Sequence, residues 1–195
     1  ILPTAKRDPR AEYNAEHIPG AAFFDVDGIS DPSIDLPHMI PKPADFAAAV
    51  SALGIANDHH VVCYDSYGLM SAARAWWMFR LYGHDRVSVL DGGLAKWKRE
   101  GRPVDGKPIA QVKTNFTARF RPELVRAKAD VKANIASKAA QVLDARSAGR
   151  FQAKDPEPRA GLRGGHIPGS CNLPYNLLVD AETKVVLPRS EEHTS

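Results

Sequence analysis

His17-Ile18-Pro19-Gly20-Ala21 returns late in the chain as His166-Ile167-Pro168-Gly169-Ser170. Both copies stand between a charged loop and a short apolar stretch. A repeat that spans most of a chain reads as two equivalent halves. After the first copy the chain runs through His60-Val61-Val62-Cys63-Tyr64-Asp65-Ser66-Tyr67-Gly68, an apolar strand followed by a loop. The same step taken from His166 passes beyond Ser195. The expectation is therefore that the second half stops before its matching loop, where chemistry is most to be sought.

Composition sets the outer limits. Hydrophobic residues make up 44% and charged residues 25% of the 195, the balance of an ordinary globular protein. No segment approaches the ~20 apolar residues that span a bilayer, so no membrane partner is expected. The net charge of +3 is spread with both signs interspersed. That pattern reads as a solvated surface and not as a nucleic-acid footprint, which clusters its basic residues. The two cysteines lack metal-ligand spacing and argue against a disulfide framework. A reducing compartment follows, and a cytoplasmic location is expected. The chain opens on Ile1 without a signal-peptide pattern, and residues preceding it are expected.

Along the chain, Pro3, Pro9, Pro19, Pro32, Pro37, Pro41 and Pro43 preclude a long helix before residue 44. Phe23 to Asp27 reads as a short buried strand. Asp45 to Leu53 reads as a helix capped by Asp45, with Phe46, Val50 and Leu53 on one face. His60 to Tyr64 is an expected buried strand. Ser71 to Tyr82 is an expected helix, apolar nearly all round and so well buried. Val87 to Leu90 follows as a strand, Gly92-Gly93 as a turn and Leu94 to Glu100 as a helix. Strands alternating with helices imply parallel βαβ units. Residues 102–122 carry Pro103, Pro108 and Pro122 and read as a linker. Ala127 to Ser137 is then a helix, Gln141 to Asp144 a buried strand and Phe151 to Gly165 a polar loop. Val185 to Leu187 reads as extended. Arg189 to Ser195 continues no pattern and is expected to be foreign to the protein.

Residue chemistry alone leaves several side chains with two readings. Asp27 reads as capping a turn and His38 as a surface residue beside Pro37. Arg150 and Arg159 can be solvated loop arginines or a carboxylate clamp, because the planar guanidinium binds carboxylates bidentately. His17 and His166 read as structural, bonding backbone at a tight turn before Pro-Gly. Cys63 lies in an apolar strand, where a free thiol acts as a small buried hydrophobe. Cys171 has only the loop arginines to activate it. Trp76 and Trp77 read as core. Arg74, on the same helix, is expected to face a cleft.

Taken together, the paired HIPG motifs, Ala75-Trp76-Trp77-Met78-Phe79-Arg80, Leu90-Asp91-Gly92-Gly93 and Leu143-Asp144-Ala145-Arg146 resemble the two-domain rhodanese-type sulfurtransferases. The similarity runs from about residue 5 to 188. Pro156-Glu157-Pro158-Arg159-Ala160-Gly161 before the second HIPG is most like 3-mercaptopyruvate sulfurtransferases. The resemblance implies an α/β fold of tandem domains, each a parallel sheet flanked by helices, with the active site between them and the second domain truncated. Its boundaries fall at 1–106 for a catalytically silent domain lacking its first strand, 107–122 for a linker, 123–188 for the amino-terminal part of a second domain and 189–195 for the foreign tail. Where the family's nucleophile loop would fall in the first domain stands Asp65. The catalytic Cys is expected in a Cys-x-x-Gly loop of the second domain that this sequence lacks.

The same resemblance implies the activity and the site. Sulfane sulfur would pass from 3-mercaptopyruvate to a thiol or cyanide acceptor through a cysteine persulfide, with no cofactor. Arg150 and Arg159 would bind the substrate, and Asp27 and His38 would assist proton transfer. A thiosulfate sulfurtransferase, or a non-catalytic rhodanese-like module that binds partners, are the rival readings.

Overall fold

The computed structural model describes residues 7–107, 109–159 and 161–188. The chain divides into two compact units between Pro122 and Glu123. The expected foreign tail lies outside the described residues, as does the expected site of the missing first strand before Lys6.

In the first unit a short helix that the sequence reading lacks, α1 (Pro9–Ala15), forms around one of its prolines. Pro9 occupies the first turn, and the Asp8 side chain caps the helix by accepting from Arg10 N and Ala11 N at 3.0 Å each. Proline is at home there because the first turn has no intrahelical use for its missing N–H. The strand expected at Phe23 to Asp27 does not form. Asp25 Oδ1 instead accepts from Gly28 N at 3.0 Å, and Ile29 N donates to Asp25 O, so the carboxylate turns the chain.

Helix α2 (Pro43–Ala52) buries Phe46 and Val50. It starts at Pro43, which places Asp45 in the first turn and not at the cap. Strand β1 (Val61–Cys63), helix α3 (Met70–Leu81) and strand β2 (Val87–Val89) form the expected βαβ unit. The strands pair in parallel, Val61 with Val87 and Cys63 with Val89. Helix α4 (Gly93–Arg99) follows. Two expectations of burial need correction. Val62 is 50% exposed, because the pair β1-β2 is the whole of its sheet among the described residues. Helix α3 buries Ala72, Ala75, Met78, Phe79 and Leu81 but leaves Arg80 exposed and Trp76 and Trp77 half-buried.

The core is aromatic. Phe46 stacks on Tyr82 with centroids 4.1 Å apart, and Phe79 and Phe116 meet Phe46 edge-on. Burial pushes the Tyr82 phenol up to about 12, so it stays a neutral donor, bonded to Pro41 O at 2.5 Å. Phe116 comes from the stretch read as a linker. That stretch forms no helix or strand, yet it is tied along the first unit. Thr114 N and Phe116 N bond to Ser51, Thr117 N to Asn57 Oδ1, and Arg119 N and Arg121 N to Tyr82 O and Leu81 O. Its prolines exclude helix, but its extended backbone still finds partners.

The second unit holds helix α5 (Lys128–Ser137), strand β3 (Leu143–Asp144), the short helix α6 (Ala148–Phe151) and strand β4 (Cys171–Asn172). Strands β3 and β4 pair in parallel. A 3-10 turn (Tyr175–Leu178) and a single bridge from Val179 to Val186 complete it. Leu143, expected to be buried, is 58% exposed. Among the described residues the buried apolar set runs from Val26 to Phe116, and only Pro174 is buried in the second unit. Among the described residues no helix is long and apolar enough to cross a membrane.

A unit with so little buried apolar surface opens readily. Amide hydrogen exchange across residues 124–188 is expected to be much faster than across residues 43–99. Equal protection of the two would contradict this account.

Candidate active site

The two HIPG motifs build the same turn. Ala21 N donates to Ile18 O at 2.9 Å and Ser170 N to Ile167 O at 3.0 Å. Proline sets the first central residue, and the glycines take the left-handed backbone that the second requires, at φ 81° for Gly20 and 80° for Gly169. The histidine ahead of each turn is an anchor, as its context led one to expect. His17 Nδ1 lies 2.8 Å from Tyr13 O, and the imidazole stacks on Tyr13 at 4.2 Å. His166 Nδ1 lies 2.8 Å from Phe151 O and stacks on Phe151 at 3.8 Å. In both, a ring nitrogen is taken by a carbonyl of the short helix before it.

The loop after β1 is organised around Asp65. Its Oδ1 accepts from Tyr67 N at 2.8 Å and Gly68 N at 2.6 Å. Its Oδ2 accepts from Ser71 N at 2.6 Å, Ala72 N at 2.8 Å and Ser71 Oγ at 3.1 Å. Converging backbone N–H groups at a helix start form an anion-binding concavity. Here the protein's own carboxylate fills it, and it also caps α3, whose N-cap residue Leu69 supplies no side-chain bond. Gly93 packs against the same loop. A Cβ there would lie 2.3 Å from Asp65 O.

Asp27 and His38 are brought together. Asp27 Oδ1 lies 2.8 Å from His38 Nδ1, a charge contact that is not aligned as a hydrogen bond. His38 holds a left-handed backbone at φ 60°, a strained state for a residue with a Cβ. Arg74 supports it by donating from Nη2 to His38 O at 2.7 Å. The Arg74 guanidinium also lies over Trp77, 4.7 Å from the ring centroid. Burial holds its pKa below the usual value. Arg74 is thus committed to this loop through contacts that the sequence reading did not foresee.

Around the second HIPG the charged side chains form a network. Arg146 binds Asp144 at 2.6 Å and Glu157 at 2.7 Å. Arg150 donates to Glu157 Oε2 from Nη2 at 2.5 Å and Nε at 3.2 Å. The side chain of Glu157 is only 5% exposed. Hydrogen bonding from Arg150, with the charge of Arg146 adding to it, holds the Glu157 carboxyl below its usual range. The Arg146 bond does the same for Asp144. Arg159 is exposed and has no polar partner among the described residues. Glu157 is legible only as a letter of the PEPR stretch, because its partners, Arg146 and Arg150, lie before and on helix α6.

The two cysteines differ. Cys63 is buried in β1, and burial pushes its thiol up to about 12. A thiol so raised is almost wholly protonated near neutral pH and a poor nucleophile. Cys171 is exposed on β4, with Gln141 Nε2 3.6 Å from its sulfur.

The family model of the rhodanese-like domain matches residues 7–100. The 3-mercaptopyruvate sulfurtransferase of Homo sapiens is 42% identical over 194 residues, an overlap of 98% of this chain and 65% of that protein. The thiosulfate/3-mercaptopyruvate sulfurtransferase 2 of Arabidopsis thaliana is 46% identical over 209 residues, 95% of this chain and 60% of that protein. This chain therefore spans less than two thirds of either relative. The crystal structure of SseA from Escherichia coli, a 3-mercaptopyruvate sulfotransferase with the rhodanese fold, superposes with a TM-score of 0.86 at 40% identity. It covers 96% of this chain and 70% of that one. The class defined by fold and sequence is an α/β rhodanese domain with a parallel sheet and flanking helices. The chain belongs to the rhodanese-type sulfurtransferase family.

Two variants test these assignments. Asp65→Ala strips the acceptor from four N–H groups and a hydroxyl. It is expected to lower stability by about 3 kcal/mol, since bonds to a charged group contribute ~1.5–3 kcal/mol each and do not add. Urea unfolding checks this, and a loss under about 1 kcal/mol would refute it.

The second variant concerns pH. A carboxyl whose folded pKa is depressed stabilises the fold above its ordinary pKa, and that contribution is lost as pH falls through the folded value. The NMR amide dispersion of residues 144–166 should therefore collapse on acidification below the ordinary carboxylate range. Glu157→Gln should show the loosened state already at neutral pH.

Proposed function

We propose that the protein is a sulfurtransferase that moves sulfane sulfur from 3-mercaptopyruvate to a thiol or cyanide acceptor through a cysteine persulfide. The observation that carries this reading is the 2.8 Å approach of Asp27 to His38. A carboxylate-oriented imidazole is a competent proton carrier near neutral pH. The relatives named for 3-mercaptopyruvate lend it weight. In this reading Asp27 and His38 serve proton transfer. Arg159, which has no polar partner among the described residues, reaches for the substrate carboxylate together with the Nη1 of Arg150, which Glu157 leaves unused.

Residues 1–106 are proposed as a silent domain of a tandem pair, with 107–122 as the connection and 123–188 as the amino-terminal part of the second. Asp65 supports the silence, since its carboxylate occupies the concavity where a thiolate or persulfide would sit. Neither Cys63 nor Cys171 is proposed as the nucleophile; the persulfide is assigned to the cysteine of a Cys-x-x-Gly loop, a motif that the 195 residues do not contain. Both are free thiols, which fits a reducing compartment such as the cytoplasm. Thiosulfate as donor is the second reading, favoured by the relative named for both substrates.

Sulfur transfer to cyanide tests the assignment. Cys63→Ser is expected to leave any measured transfer unchanged, and a loss confined to that variant would make Cys63 the nucleophile. In the protein with full activity, Arg150→Ala and Arg159→Ala should lower kcat/KM for 3-mercaptopyruvate on the order of tenfold to a hundredfold more than for thiosulfate. The asymmetry follows from the carboxylate that only the first donor carries. Equal losses would remove the arginines from substrate recognition.

A further inference from the structure

A polar pocket of about 420 Å³ opens at the amino-terminal ends of β1 and β2, on the sheet edge opposite the Asp65 loop. His84, Arg86, Asn57, Thr117 and Arg119 line it, with Gly83 beneath. Gly83 shapes the wall, since its left-handed backbone lets Arg119 pack so closely that a Cβ would lie 2.9 Å from Arg119 Cβ.

The donors here outnumber their partners. Asn57 and Thr117 hold each other through Asn57 Nδ2 to Thr117 O at 3.0 Å and Thr117 N to Asn57 Oδ1 at 2.7 Å. That pairing leaves the Thr117 hydroxyl open. Arg86 uses Nη1 on Asp58 O at 2.8 Å and keeps its other two nitrogens. Arg119 has no side-chain partner among the described residues. His84 forms the floor of the pocket, 3% exposed, with its ring packed against Phe79 and Phe116 of the core. Burial holds the His84 pKa below its usual value, so the ring is a neutral donor–acceptor. The one carboxylate at the rim, Asp85, is already taken by both Nη groups of Arg121 at 2.6 Å.

We propose that this pocket is an oxyanion site that takes a phosphate group, free or as a monoester. Two guanidinium groups provide charge and fork geometry for tetrahedral oxygens. Thr117 Oγ adds a neutral donor, and an anion would engage guanidinium nitrogens that have no partner among the described residues. The site shares no residue with Asp27, His38, Arg150 or Arg159, so it stands or falls apart from the sulfur-transfer reading.

Titration of the 195-residue chain with inorganic phosphate, at ionic strength fixed with sodium chloride, tests it by amide NMR. Saturable shifts centred on His84, Arg86, Thr117 and Arg119 are expected. Arg119→Gln, which disturbs no side-chain bond, should weaken binding about tenfold. The same change at exposed Lys113 should not. A parallel titration with glycerol phosphate separates the sources: tighter binding of the ester assigns an organic phosphate, equal binding the free ion. Shifts that never saturate, or that Arg119→Gln leaves unchanged, overturn the proposal.

Discussion

The Asp65 carboxylate is the interaction on which the first unit turns. Its five donors come from the loop after β1 and from the first turn of α3. The Asp65 backbone carbonyl adds a third connection by accepting from Leu94 N at 2.9 Å, at the start of α4. One residue thus fixes where β1 ends, where α3 begins and how closely α4 approaches. A helix start in this position exposes N–H groups that must find an acceptor. Here the acceptor is the chain's own carboxylate, so one group both fills and stabilises the concavity.

The two units solve the problem of stability differently. The first buries Phe46, Phe79, Tyr82 and Phe116 in one cluster, and the hydrophobic term carries it. The second has no such cluster among its described residues, and its most organised region is the Asp144-Arg146-Glu157-Arg150 network. Ion pairs of this kind fix geometry more than they add net stability, because desolvation offsets much of the attraction. That network therefore ties the loop carrying Glu157 and Arg159 to helix α6 without giving the unit a core. The exposure of Leu143 belongs to the same account.

The sequence made some of this legible and hid the rest for physical reasons. The βαβ unit showed because α3 is long and apolar, and the HIPG turns showed because Pro-Gly admits few backbones. The approach of Asp27 to His38 was reachable only through family resemblance, since an Asp and a His in a proline-rich loop carry no periodicity. The connection at 107–122 misled because prolines signal loops whether or not those loops pack, and Phe116 alone hinted at a buried anchor. Val62 and Leu143 are exposed although their runs are apolar, because each lies in a two-stranded sheet among the described residues, and letters alone do not show how many strands a sheet has. Contacts such as Arg74 to the His38 carbonyl and Arg150 to Glu157 depend on loop placement, which local pattern does not encode.

The repeat that organises the sequence is itself a lesson in what a motif conveys. Both HIPG copies give the same turn and the same stacked, carbonyl-bound imidazole, yet their surroundings diverge. His17 is 2% exposed, with Nε2 3.5 Å from Asp105 Oδ1, whereas His166 is exposed and rests on Phe151. The shared part is therefore the local turn that redirects the chain, and each imidazole is spent on anchoring it. His38 is instead unstacked and lies beside the Asp27 carboxylate on a strained backbone. Chemistry in this fold is to be sought in the loops that the repeated turns position, and not in the repeated letters.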